Sequence, residues 1–410
     1  MQVASVTHYD LHGGAARAAY RIHQALRASE INSTMLVNAA SSGDWTVQGP
    51  VGHLNRFIPK IRHAFGALLT KTLKTQNPVL HSPAVLHSGW ARRINNSSAD
   101  VCHLHWINHE MMSIEDIANI NKPIVWTLHD MWAFCGAEHY SEDFRWRDGY
   151  HHNNRPAYES GLDLNRWAWN RKRKAWKRPI HIVAPSQWLA ECARESKLMQ
   201  GWPISVVNNA LDTEVWRPVD KLQARALFGL PKDVPILLFG ALGGTADPRK
   251  GFDLLLAALE NLRGKIGGLE LVVFGQLAPK ETIDFGFPVR YVGRVNDDLA
   301  LAILYSAVDV MIVPSRQDNL PNTGVEAMAC GTPVVAFDAG GLTSIVKHLQ
   351  TGYLATPFDP ASLAEGIIWV LSNKTRHASL SLASRQRALD HFSYSVVAKQ
   401  YRKIFELSMR

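Results

Sequence analysis

Long apolar runs are missing from this sequence: nowhere in its 410 residues does one approach the roughly 20 needed to cross a bilayer as a helix. No helical membrane span is therefore expected. Cysteine is scarce and scattered. Cys102, Cys192 and Cys330 each sit in an apolar run, where a thiol behaves as a small buried hydrophobe, and Cys135 has no close cysteine neighbour. No disulfide framework is expected. Short-period repeats and low-complexity tracts are missing too, which argues against solenoid and disordered architectures. The chain opens on Met1-Gln2-Val3-Ala4-Ser5-Val6, which reads as a buried strand and not as a secretory signal, so a cytoplasmic protein is expected. Acidic residues are in deficit, 36 against 44 Lys and Arg, leaving a net charge of +8. Such a charge suits an anionic partner. Nucleic acid, an anionic membrane surface and a phosphorylated small molecule all qualify.

What is present is a globular composition, 46% hydrophobic, on a chain long enough for two domains. Strand-like runs alternate with helical patterns, the signature of parallel α/β folding. In the first half the strand candidates are 3–7, 33–37, 101–105, 124–128, 181–184 and 205–207, with a helix over 15–27. Asn208-Asn209-Ala210-Leu211-Asp212 and Pro218 break the pattern and mark a domain junction. The second half restarts the same grammar with a strand at 236–240, a helix at 252–262 and a strand at 269–275. Beyond these come a helix at 299–305, strands at 308–313 and 333–336 around a helix at 325–329, and a mostly helical stretch over 362–410. Two such domains in tandem leave a cleft at their strand carboxyl ends, where ligands of parallel sheets collect.

Two segments depart from the alternation. Residues 53–76 interleave Phe57, Ile61, Phe65, Leu68 and Leu69 with Lys60, Lys71 and Lys74, the pattern of a basic amphipathic helix. Its apolar face fits either a membrane surface, through 56–76, or the helix's own domain. Residues 166–178 combine seven basic residues with three tryptophans. They read as a weaker membrane contact, as a phosphate-tracking run or as core.

The most informative stretch runs from Pro314 to Val335. A strand ends there, a polar loop follows, and a helix opens near Thr323. Asp318 and Glu326 bracket seven residues in a polar loop-to-helix transition, and carboxylates so placed can accept hydrogen bonds from vicinal hydroxyls. The amides of Asn322, Thr323 and Gly324 at the helix start can donate to a phosphate or a sugar oxygen. Upstream, Arg249-Lys250-Gly251 sits just before a helix, where a cation and a close backbone approach suit a diphosphate.

The stretch from 314 to 335 resembles the paired-acid signature of family 4 GT-B glycosyltransferases, of the colanic-acid and O-antigen type, with Asp318 in place of the usual first Glu. The resemblance implies an α/β GT-B fold: two Rossmann-like domains with a cleft between them and C-terminal helices. Residues 1–208 would form the acceptor-binding domain and 209–385 the nucleotide-sugar-binding domain. Helices over 386–410 would pack back on the first. Lys250 matches the family's diphosphate-binding lysine. The family's partner arginine is replaced by Ala241, which leaves Arg249 as the nearest substitute. Arg294, in Tyr291-Val292-Gly293-Arg294-Val295, matches the segment that meets the base. In the first half Gly13 and Gly14 resemble the family's N-terminal glycine loop. His129 matches the histidine that meets the donor sugar at the reaction centre, and His105 a less defined position beside it. Relatives of this subtype often carry several cysteines near Cys135, whereas this chain keeps only one, beside His139, His151 and His152. No metal site is expected.

The implied activity is retaining transfer of a sugar from a UDP- or GDP-sugar to a hydroxyl of a saccharide acceptor. That acceptor would be lipid-linked, at the inner face of the cytoplasmic membrane, in bacterial surface polysaccharide synthesis. No cofactor is implied, since Lys250, Arg249 and the helix amides would offset the charge growing on the diphosphate. Sugar-nucleotide 2-epimerases share the architecture and form an alternative. A non-catalytic membrane-surface scaffold is another. Nucleic-acid binding through 166–178 would need a recognition module, and none accompanies that run.

Overall fold

The computed structural model describes residues 1–50, 52–240, 247–279 and 283–410, with the backbone alone over 53–56. They divide into two compact units, Met1–Ala210 with Val397–Arg410, and Leu211–Val396.

The first unit begins with β1 (Gln2–Tyr9), α1 (Gly14–Ala28), β2 (Asn32–Ala39) and β3 (Val47–Gln48). Next come α2 (His53–Thr70), β4 (Leu73–Lys74), α3 (Trp90–Asn95), β5 (Val101–Leu104), α4 (Ile114–Ala118) and β6 (Ile124–Thr127). The series continues with α5 (Arg145–Asp148), β7 (Ser160–Gly161), α6 (Leu164–Ala175), β8 (His181–Ala184), α7 (Gln187–Glu195) and β9 (Ile204–Val206). Seven strands form one sheet in the order β3-β2-β1-β5-β6-β8-β9, every pair parallel. A central parallel strand is covered on both faces, and β1 is accordingly buried from Val3 to Thr7 without alternation. The strand order reverses between β1 and β5, so the loops after those two strands open the crevice where such sheets bind ligands.

The second unit holds α8 (Lys221–Leu227), β10 (Ile236–Gly240), α9 (Phe252–Leu262), β11 (Glu270–Phe274) and β12 (Val289–Gly293). It continues with α10 (Asp298–Ala307), β13 (Val310–Val313), α11 (Asn322–Ala329), β14 (Val334–Phe337) and α12 (Leu342–Ile345). β15 (Gly352–Ala355), α13 (Pro360–Leu371), α14 (Lys374–Phe392) and α15 (Tyr394–Ser408) complete the chain. The sheet order is β12-β11-β10-β13-β14-β15, again parallel throughout. Successive residues of β10 feed opposite cores: Ile236 and Leu238 join one, Leu237 and Phe239 the other. That two-sided demand is why the strand reads as an unbroken apolar run. Here the order reverses between β10 and β13.

The division differs from the sequence-based one at the C-terminus. Residues 386–396 lie with the second unit, because Ala388 and Phe392 are fully buried in its core and the amide of Leu211 donates to the Phe392 carbonyl at 2.7 Å. Only from Val397 onward does the chain belong with the first unit. There Tyr401 is fully buried and shares a hydrogen bond of 2.8 Å with Thr127 Oγ1, which also meets His103 Nε2 at 2.7 Å.

The run 166–178 is partly packing. Trp169 and Trp176 are buried. Lys172 is wholly inside, donating to the carbonyls of Trp132, of Cys135 at 3.1 Å and of Gly136 at 2.7 Å, over the Trp132 ring. Burial lowers this ammonium to about 7. Arg171 is tied to Glu115 and to the carbonyls of Pro83 and Ala84. Arg173, Lys174, Lys177 and Arg178 remain exposed, so the run is divided between core packing and a basic surface. The face of α2 behaves oppositely: Phe57, Ile61 and Leu68 are 57%, 69% and 64% exposed, so only part of that helix packs on its own unit, chiefly through Leu69 and Gly66. No helix among the described residues is long and apolar enough to cross a membrane.

Tyr401→Phe removes one hydroxyl from a buried chain of three groups and leaves Thr127 bonded to His103. It is expected to cost about 1 kcal/mol, and Tyr401→Ala about 3–5 kcal/mol through the cavity left behind. Denaturant unfolding followed by tryptophan fluorescence measures both.

Candidate active site

In the second unit the site follows from one close approach. Gly251 ends a short 3-10 turn over Pro248–Lys250 and sits at φ 65°. A Cβ there would lie 2.0 Å from the carbonyl oxygen of Pro314. No side chain fits that gap, and the left-handed conformation suits glycine on its own account. The contact lays the turn after β10 on the loop after β13, and the amide of Arg316 donates to the Arg249 carbonyl at 2.7 Å. Lys250 Nζ thereby meets Asp318 Oδ2 at 2.5 Å, with Ser315 Oγ on the same oxygen at 3.5 Å. The Asp318 carbonyl is held by the Gly341 amide at 2.9 Å, which couples this loop to the one after β14.

The acid and the lysine singled out from the sequence are thus a pair. Glu326 differs from its expected setting: it is 4% exposed, not open in a polar transition. Its Oε2 accepts from Tyr305 Oη at 2.9 Å, because α11 packs on α10. Of the three helix-start amides, that of Gly324 already donates to the Pro321 carbonyl at 3.1 Å. Thr323 lies near the end of β10, its Cγ2 3.6 Å from where a Gly240 Cβ would stand. Arg249 binds Asp247 through Nη2 at 2.6 Å, so this guanidinium is engaged within its own turn. Arg294 is exposed after the edge strand β12, two strand spacings, about 10 Å, from β10. Ala241 lies outside the described residues.

In the first unit Gly13 caps α1 at φ 89° with open space on its Cβ side, and its carbonyl accepts from the Arg17 amide at 3.1 Å. Gly14 is the first residue of α1. Asp10 fixes the same loop: Oδ1 accepts from the Leu11 amide at 2.9 Å, and Oδ2 from the amides of Ser41 and Ser42 at 2.7 Å each. Burial alone would raise this carboxyl, but these donors hold it below its ordinary value.

His105 and His129 do come together, Nδ1 to Nε2 at 3.1 Å. His129 is half-buried and His105 buried. Burial lowers His129 to about 4, against an opposing pull from Asp130, so at neutral pH the ring is an uncharged hydrogen-bonding group. The same cause, joined by His103 and His129, puts His105 well below the usual range. Next to them Asp130 takes His139 Nδ1 at 2.6 Å and the Trp106 indole at 2.9 Å. Burial pushes its pKa up, but His139 and these donors bring it below the ordinary value. Ser82 completes the His139 ring at 2.8 Å. Cys135 is buried beside Lys172, while His151 and His152 are exposed, so these groups do not converge. Among the described residues no group of three or more His, Cys, Asp or Glu side chains is arranged to hold a metal ion.

Sequence reasoning missed Tyr305, Asp247 and Thr127. Nothing in the sequence separates Tyr305 from a core aromatic of α10, and only packing reveals it as the Glu326 partner.

Comparison with known proteins bears on both units. Residues 12–215 match the model described as Glycosyltransferase Family 4, and residues 235–373 the model of group 1 glycosyl transferases. Two regions of the chain are thus similar to glycosyltransferase families, and the fold is the GT-B architecture. A D-inositol 3-phosphate glycosyltransferase of Catenulispora acidiphila is 31% identical over 227 residues, 50% of this chain and 51% of that protein. The chain spans about half the length of such curated relatives. Anabaena Alr3699/HepE, solved with UDP and glucose, has the same fold at a TM-score of 0.63 and 18% identity, covering 99% of this chain and 100% of that one. WaaG, a glycosyltransferase of lipopolysaccharide biosynthesis, matches at 0.62 and 16% identity, with 98% and 99% covered.

The buried histidines generate a pH prediction. His8 and His129 are lowered to about 4 and His109 to about 3, each chiefly by burial. Unfolded, these rings take up a proton near 6.5; folded, they do so only further down. The unfolded chain therefore binds more protons between those values, and stability must fall with pH through that window. Lys172, lowered to about 7 by burial, acts with the same sign above that value, so the melting temperature is expected to fall already from pH 8 to 7 and to drop further from about 6.5 towards 4. Scanning calorimetry across that range checks it.

Proposed function

We propose that this chain is a retaining glycosyltransferase that moves a hexosyl group from a UDP- or GDP-sugar to a hydroxyl of a lipid-linked saccharide. Its place is in bacterial surface polysaccharide synthesis, of the O-antigen, exopolysaccharide or capsule kind, at the inner face of the cytoplasmic membrane. The observation that carries the reading is the Lys250–Asp318 pair at the carboxyl ends of β10 and β13, which sets a cation beside a hydroxyl acceptor. A diphosphate recruits the ammonium, while Asp318 turns to the sugar hydroxyls and Glu326 to the ribose. As the anomeric carbon–oxygen bond breaks, negative charge grows on the departing diphosphate. Lys250, Arg249 and the first amides of α11 offset it without a bound metal. Gly13 and Gly14 give the phosphates or the acceptor room against α1, and neutral His129 hydrogen-bonds the donor sugar. A relative named for D-inositol 3-phosphate and a structural neighbour of lipopolysaccharide biosynthesis support glycosyl transfer, and the UDP bound to HepE supports the donor class.

Lys250→Ala is expected to weaken UDP or GDP by about 1.5–3 kcal/mol and to leave uridine or guanosine binding unchanged. Titration calorimetry with all four ligands reads the difference, and an unchanged diphosphate affinity would refute the assignment. Asp318→Asn and Glu326→Gln should cut transfer at least about tenfold while the fold survives, a factor that corresponds to about 1.4 kcal/mol.

Membrane contact through α2 rests on its exposed apolar face, with the exposed lysines Lys60, Lys71 and Lys74 alongside, each worth about 1 kcal/mol beside anionic lipid. Sedimentation with phosphatidylglycerol vesicles should fall with added salt, and should fall in the triple lysine-to-glutamate variant. Equal sedimentation of that variant and the wild type rejects α2 as the anchor.

A further inference from the structure

Glu326 is an acid in an apolar place. Its neighbours along α11, Val325, Ala327, Met328 and Ala329, are buried as it is. A carboxyl in such a setting is tolerated only when its oxygens are hydrogen-bonded. Tyr305 supplies one such bond, its Oη donating to Oε2 at 2.9 Å where α10 packs on α11. A buried tyrosine hydroxyl needs an acceptor, and a backbone carbonyl would serve it. Here the acceptor is instead an acid of the candidate donor site, 21 residues further along the chain.

That hydroxyl is itself held still. Tyr305 is fully buried. Its ring meets Phe274 edge-on, with centroids 5.8 Å apart and planes at 82°, and lies 6.0 Å from the Trp216 ring. Its carbonyl accepts from Thr332 Oγ1 at 2.6 Å. A tyrosine has few side-chain torsions, so packing of this kind fixes where the hydroxyl stands. A glutamate has more of them, and its carboxyl samples several rotamers unless a partner ties it down.

The same packing reaches the end of the strand that leads to Lys250. Gly240 closes β10, and a Cβ there would stand 2.8 Å from Phe274 Cζ and 3.6 Å from Thr323 Cγ2. Phe274 thus touches both the carboxyl end of β10 and the ring that holds Glu326. Thr323 and Glu326 are three residues apart on α11 and share a face of that helix. The acid is therefore tied to a packed group that also shapes the end of β10.

We propose that Tyr305 is a positioning residue for the donor: its hydroxyl fixes the Glu326 carboxyl in the orientation that receives the ribose hydroxyls, so that selection of a ribonucleotide depends on a side chain that touches no ligand. This rests on the assignment of Glu326 to the ribose made above. Ordering a rotamer-rich side chain at the moment of binding costs about two- to tenfold in affinity, and the tyrosine removes that cost by ordering the acid beforehand.

Titration calorimetry on the full chain with UDP and GDP, and with the 2′,3′-dideoxy form of each, tests this. For the nucleotide it binds more tightly, the wild type should prefer the ribose form by at least about tenfold. Tyr305→Phe keeps the ring and its packing, so the fold survives, and thermal melts without nucleotide check that it does. This variant should narrow the preference at least about threefold and leave the affinity for the dideoxy form unchanged. Glu326→Gln should narrow it as well, and adding Tyr305→Phe to Glu326→Gln should narrow it no further, because residues that act through one another are not additive. Equal losses for the ribose and dideoxy forms in Tyr305→Phe overturn the proposal by making the tyrosine a packing residue, and additive losses in the double variant also overturn it. A preference that Glu326→Gln loses and Tyr305→Phe keeps overturns the role of Tyr305 alone and leaves Glu326 on the ribose. A wild type that binds both forms equally takes the ribose away from Glu326, and the proposal falls with that assignment.

Discussion

The second unit depends on a gap too narrow for a side chain. Gly251 lies against the Pro314 carbonyl, where even a methyl group would overlap the oxygen. Through that approach the turn carrying Lys250 meets the loop carrying Asp318, although 68 residues separate them. The sheet prepares the meeting: β10 and β13 are neighbours at the point where strand order reverses, so the loops leaving their carboxyl ends start side by side. A cation, an acid and a helix start then share that end of the sheet without any one of them being long-range in itself.

The first unit reaches a comparable arrangement with different materials. Its strand order reverses between β1 and β5, and the loops there are fixed by buried polar groups rather than by one steric contact. Asp10 gathers three backbone amides and a serine hydroxyl. Asp130 gathers His139 and two tryptophans. Such groups are stable inside only when paired, so each pins several segments at once. The histidines among them are uncharged because burial disfavours the imidazolium.

Two basic, aromatic segments of similar composition end in opposite environments. In α6 Trp169 turns inward and Lys172 with it, its ammonium met by three carbonyl oxygens, while Trp167 stays exposed. In α2 the apolar face turns outward over most of its length. Composition is silent on this choice because both helices have an apolar and a basic side; what differs is whether another element covers the apolar one. Above α6 lie the loop of 131–137 and α4. Above α2 the described residues offer Leu69 a neighbour and leave Ile61 and Leu68 in solvent.

Much of the fold was legible before any coordinates, because parallel sheets covered on both faces write themselves as short apolar runs. The strands 181–184 and 236–240 and the helix 252–262 fall where periodicity puts them. Glycine and charge patterns likewise marked Gly251, Lys250 and Asp318, since local backbone needs leave local traces. Pairings did not show. That Glu326 would lie buried under Tyr305, that Arg249 would turn to Asp247, and that residues 386–396 would stay with the second core are outcomes of packing between distant segments. Hydrophobic spacing reports which way a side chain faces along its own element; which atoms it meets, and which it lacks, depends on elements that only folding brings alongside.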